Sequence, residues 1–123
     1  MGDSVNSIPM SDFSLVVNST HNDLGTAIYV KKIHKISNIH RDQSSRIISI
    51  KINNLRIINV YGYPVGVNHS IEKRNNLFNK YLPLHMNMGD DFCLLGDFNA
   101  TIVKNEKGWF SHSLKKIIND RFN

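Results

Sequence analysis

The sequence is poor in the residues that staple small proteins, since only Cys93 among 123 residues is a cysteine. No internal disulfide and no cysteine-based zinc site can form, so a reducing compartment is the natural setting. Long apolar runs are also missing. None approaches a signal-peptide core or a membrane span, which predicts an intracellular chain of nucleus or cytoplasm, not secreted and with no membrane partner. Without a secretory signal, the sequons at Asn18, Asn68 and Asn99 are chance products of an asparagine-rich chain. Gly2 lacks the Ser or Thr that myristoylation wants, because Asn6 fills that place. Acidic residues are the scarcer charge, 10 against 15 Lys and Arg, and the net +5 favours anionic partners, nucleic acid first.

What is present suits one compact domain, with 41 % hydrophobic and 9 % aromatic residues to build a core. Residues 1–12 are polar and aperiodic, a loose leader, and residues 13–123 carry the folded pattern. "FSLVV" and "GTAIYVKKI" read as two strands around a turn-forming "NSTHND". In "RIISIKINNLRIINVY" the residues Ile48, Ile50 and Ile52 alternate with Ser49 and Lys51, the period of a half-buried strand. Asn53 and Asn54 both tolerate the positive φ of a tight hairpin turn. The more apolar return strand, Leu55 to Tyr61, is expected to be the more central.

Helical spacing follows at Ile71, Arg74, Leu77, Phe78, Tyr81 and Leu82, with Ser70 as N-cap and Pro83 expected to kink or end the helix. "DFCLLGDF" is a near-continuous apolar run of the kind buried on both faces, which makes Cys93 a small core hydrophobe. Leu114, Ile117 and Ile118 mark a last amphipathic helix. Strands, helix, strand, helix, with hairpins in front, predict an α/β layered domain built on a mixed sheet.

Two strand ends deliver polar side chains. Strand alternation puts Asp97 and Asn99 on one face and Phe98 on the other. A carboxylate can orient or deprotonate water, and an amide can donate to a phosphate oxygen as charge builds there. A simple turn accounts for Gly-Asp-Asn equally well. Asn59 and Tyr61 share a face just before a Gly/Pro loop, where a phenol can reach a phosphate. The six histidines are dispersed, none pairs at helical metal-ligand spacing, and none reads as catalytic.

"RIISIKINNLRIINVYGYP", then "RNNLFNKYLP", then "FCLLGDFNATI" resemble, in that order, the middle of an endonuclease/exonuclease/phosphatase domain. Within that superfamily they are most similar to the apurinic-type endonuclease of non-LTR (LINE-like) retrotransposons. The resemblance implies a DNase-like four-layer fold, a layered β-sandwich flanked by helices, incomplete at both ends of residues 13–123. It implies that Asp97 activates water, that Asn99 holds the scissile phosphate and that Tyr61 contacts it. Asn59 and Arg74 match weaker positions near the substrate phosphate or its framework.

One departure is that the family's Tyr-x-Pro is here Tyr61-Gly62-Tyr63-Pro64, so Tyr63 rivals Tyr61. The intact family domain uses Mg²⁺ or Mn²⁺ to hydrolyse DNA, nicking it for target-primed reverse transcription beside a reverse transcriptase domain. The family's metal-binding Glu and its closing Ser-Asp-His have no counterpart here. The resemblance therefore implies a fragment, weakly active or inactive, with doubtful metal binding. Two alternatives stand beside it: a phosphatase of the same superfamily, or a non-catalytic basic nucleic-acid-binding module. The second would use Lys31, Lys32, Lys35, Arg41, Lys104, Lys107, Lys115 and Lys116 on phosphates.

Overall fold

The computed structural model describes residues 10–19, 25–64, 71–104 and 108–122. It is a mixed α/β structure with one two-stranded and one four-stranded sheet. Strands β1 (Phe13–Ser19) and β2 (Gly25–Lys31) form an antiparallel hairpin, with Phe13 opposite Lys31. The expected leader is partly folded in, since Met10–Asp12 make a 3₁₀ turn whose Asp12 carbonyl accepts the Lys32 N–H.

The larger sheet runs β3 (Ile36–Arg41), β4 (Ile47–Ile52), β5 (Leu55–Tyr61), β6 (Asp91–Asp97), antiparallel except for the parallel β5–β6 pair. The expected hairpin forms with Ile52 opposite Leu55, and the positive φ of its turn is carried by Asn53 alone. Both of its strands are interior, so β5 is no more central than β4.

Alternation sorts side chains between two cores. Ile48 and Ile50 pack with Val16 and Val30 of the small hairpin, while Ile47, Ile58 and Val60 pack with Leu77, Phe78, Leu82, Met86 and Leu114 of the helices. The expected wet face of β4 is buried instead, because polar groups there satisfy one another. Arg56 Nη1 donates to Ser49 Oγ over 3.1 Å, which leaves the serine hydroxyl to donate to His85 Nδ1 at 2.7 Å. Asp90 then takes Arg56 Nε at 3.2 Å and Lys51 Nζ at 2.8 Å.

The helical stretch after β5 has three parts: α1 (Ile71–Asn76), a π turn (Leu77–Tyr81) and α2 (Leu82–Met86). Pro83 was expected to kink or stop the helix, and it stands in the first turn of α2, directly after the π turn. Pro83 has no N–H for an α bond, and the preceding π turn, with Leu82 N–H on Leu77 O, absorbs the misfit. The Ser70 N-cap lies outside the described residues. The last helix, α3 (His112–Phe122), presents Leu114 to the core as expected.

Strand β6 corrects a second expectation. It is an edge strand, and only its helix-side residues Phe92 and Leu94 are packed against the core. Cys93 is exposed and Leu95 is 43 % exposed, because the core formed with the small hairpin draws on β4 and β5 and not on β6. No helix among the described residues is long and apolar enough to cross a membrane.

Candidate active site

Where β5 and β6 end side by side, the main chain closes into a compact mouth. Tyr61 stands opposite Asp97 in the parallel register, and paired residues of adjacent strands share a face. One step further, Gly62 N–H donates to Asp97 O at 2.7 Å. The approach is so close that a Cβ on Gly62 would lie 1.8 Å from Phe98 O. Gly96 repeats the device, with φ +131° and a hypothetical Cβ 2.0 Å from Val60 O. Both positions require glycine for space, and Gly96 also for conformation.

The strand stops at Asp97, so simple alternation does not place Asn99. Asn99 adopts φ 49°, and its backbone N–H donates to Asp97 Oδ1 at 3.1 Å, an Asx turn. Its side-chain Nδ2 donates to Gly62 O at 3.0 Å. Phe98 turns inward as expected, its ring 6.5 Å from that of Phe78. Asp97 and Asn99 then border one depression of about 470 Å³, whose rim also includes Pro64, Gly96 and Gly108. Asp97 is exposed there, and its Oδ2 has no hydrogen-bond partner among the described residues. The turn reading and the site reading thus describe one arrangement, in which the turn aims the carboxylate.

The other expected residues are distributed around this mouth. Tyr61 neighbours Asp97 through the sheet but does not line the depression. Tyr63 packs against the helix-side core, and both tyrosines that sequence left as rivals stand beside the Arg46 guanidinium. Asn59 lies between the sheets, with Nδ2 donating to Ala27 O at 3.0 Å, so its amide ties β5 to the small hairpin and away from the depression. Arg74 braces the rim, with Nη2 3.5 Å from Pro64 O and its guanidinium 5.6 Å from the Trp109 ring centroid.

Among the described histidines, His85 is buried against Ser49, His40 lies edge-on to it at 6.4 Å, and His112 stacks edge-on to Phe110 at 4.5 Å. None lines the depression. Burial pulls the His85 imidazole down from 6.5 to about 4; Asp42 opposes this, and His40 and Arg56 add to it.

Sequence reasoning missed Arg46. Its guanidinium is buried, 4.9 Å from the Tyr61 ring centroid and 3.9 Å from that of Tyr63. The hairpin register held the signal, because the two-residue turn that sets Ile47 opposite Val60 puts Arg46 opposite Tyr61. Tyr61 N–H accordingly donates to Arg46 O at 2.7 Å.

The described donors at the mouth do not by themselves fit a hard divalent cation. Such an ion wants several converging oxygens, and among the described residues Asp97 is the one carboxylate on the depression. Among the described residues no three His, Cys, Asp or Glu converge anywhere. No known family's sequence model matches the chain, and no curated protein matches it.

Proposed function

We propose that this chain is part of a DNA-directed phosphodiesterase domain of the endonuclease/exonuclease/phosphatase type, with the DNase-like four-layer sandwich and a sequence resemblance to the retrotransposon-type endonuclease. The observation that carries the reading is the paired strand ends: Tyr61 in register with Asp97, and Asn99, which borders the depression with Asp97, tied back to Gly62. Asp97 Oδ2 is available to orient or deprotonate a water. Asn99 keeps a second amide N–H for a phosphate oxygen, and the Tyr61 phenol offers another donor. In an intact element the expected companion is a reverse transcriptase domain, and Mg²⁺ or Mn²⁺ the expected cofactor. With Asp97 the one carboxylate among the described residues at the mouth, slow turnover is expected of this chain.

The test pairs binding of a duplex oligonucleotide across a salt series with plasmid nicking, each with and without Mg²⁺. Binding should weaken linearly in log salt, and nicking should be slight and abolished by Asp97→Ala. Nicking indifferent to that substitution, or no salt-dependent binding, overturns the proposal.

A second reading, a non-catalytic nucleic-acid module, has one specific support. Lys104 and Lys115 each place Nζ 5.8 Å from the Phe110 ring centroid, on the segment that returns to the depression at Gly108. Two cations beside an aromatic ring suit phosphate contact and base stacking. Salt-dependent binding with no nicking under any metal would select it.

A further inference from the structure

Arg46, Tyr61 and Asp97 stand abreast across three neighbouring chain segments at the mouth. The Tyr61 N–H to Arg46 O bond continues the β4–β5 ladder by one rung, and the β5–β6 register adds Asp97 on the other side. Arg46 stands one residue before β4, and its guanidinium lies near both the Tyr61 ring and the Tyr63 ring.

Arg46 is 3 % exposed, too enclosed for its side chain to touch a polymer substrate. Its Nη1 donates to Tyr61 O at 3.3 Å and to Gly62 O at 3.0 Å. Gly62 O therefore receives both Arg46 and Asn99, which makes it the junction of the mouth. The plane of charge lies near both tyrosine rings, and no carboxylate pairs with it among the described residues. Nε is buried without a hydrogen-bond acceptor among them. A buried cation with no counter-ion is costly, and here ring faces and carbonyl dipoles supply the compensation.

We propose that Arg46 is the positioning residue of the phosphate site: its guanidinium clamps the Tyr61-Gly62-Tyr63 corner so that the Tyr61 phenol stands beside Asp97 to receive a phosphodiester anion. This rests on the phosphodiesterase reading above. A planar group is required, because one side must serve carbonyls and the rings must meet a flat face. Lysine keeps the charge but offers neither fork nor plane. With no carboxylate paired to it among the described residues, the guanidinium's positive charge also draws an anion toward this end of the sheet.

The experiment is a double-mutant cycle of Arg46→Lys and Tyr61→Phe, read by binding of a duplex oligonucleotide. Arg46→Lys should weaken binding about tenfold when Tyr61 is present and less than about twofold in the Tyr61→Phe background, since the arginine acts through the phenol. Additive losses overturn the proposal.

A second arm needs no nucleic acid. Ring resonances of Tyr61 and Tyr63 should shift in both Arg46→Lys and Arg46→Met, while those of Tyr29 and Tyr81 stay. If Arg46→Met does not fold, Arg46→Lys decides alone. Unmoved Tyr61 and Tyr63 signals overturn the clamp itself. Shifted signals in a chain that binds no DNA overturn the phosphodiesterase reading and leave the clamp standing.

Discussion

Asn99 donates its side-chain amide to the carbonyl oxygen of Gly62 across 3.0 Å, joining the segment after β6 to the segment after β5. The same residue holds φ 49°, a region that costs most L-residues about 1 kcal/mol. Asn99→Ala loses both the bond and the tolerance, for about 2 kcal/mol in total. Asn99→Gly loses only the bond and should cost about half as much. Urea denaturation of the two variants separates the contributions, and equal losses would show that backbone conformation is not what the asparagine satisfies.

Gly62→Ala should be severely damaging at the mouth. The new Cβ would meet Phe98 O at 1.8 Å, a backbone atom that cannot step aside without parting the strands. We expect a loss of about 3 kcal/mol or failure to fold. A thermal melt that matches the wild type would contradict the close approach.

Acid should destabilise the fold in two windows. The His85 pKa is about 4 in the fold and 6.5 when unfolded, so between these values the unfolded chain binds the extra proton. Stability is full above pH 6.5 and falls as pH drops toward 4, by on the order of 2 kcal/mol. His85→Asn should flatten this window in pH-dependent chemical denaturation. Asp90 acts lower. Its hydrogen bond to Lys51, and then that to Arg56, hold its carboxyl below the ordinary 3.8, so its contribution persists above that pH and is lost beneath it. A wild-type slope unaltered by His85→Asn would remove the imidazole from the account.

Cys93 should react in the native state. Its side chain is exposed on the uncovered face of β6, so an aromatic disulfide reagent should label it without prior unfolding, and Cys93→Ser should change stability by less than about 0.5 kcal/mol. Protection comparable to that of a buried thiol would place something over this face.

Much of the frame could be read from residue patterns. The β4–β5 hairpin was legible because alternating isoleucines and a two-residue Asn-Asn turn fix both strands and their register. Strand β3 was not, since "ISNIHR" is an exposed edge with a bulge between Ser37 and His40 and carries no apolar rhythm. Burial of β6 was overstated for a different reason. "FCLL" states how apolar a strand is, but not how far a neighbouring hairpin extends across the sheet. At the mouth, Asp97, Asn99 and Tyr61 were legible as strand-end polar groups. Arg46 was not, because an arginine at a strand start looks solvated until its cross-strand partner is known.

The two glycines of the mouth have a consequence for how this surface can change. At Gly62 and Gly96 the strands meet main chain to main chain, so the spacing of the opening is set by backbone and by no side chain's size. The groups that would meet a ligand, at positions 61, 97 and 99, are mounted on that spacing without defining it. Frame and chemistry are therefore separable. The outward residues can be exchanged for other chemistries while the aperture keeps its dimensions, whereas any side chain added at either glycine would alter the aperture itself.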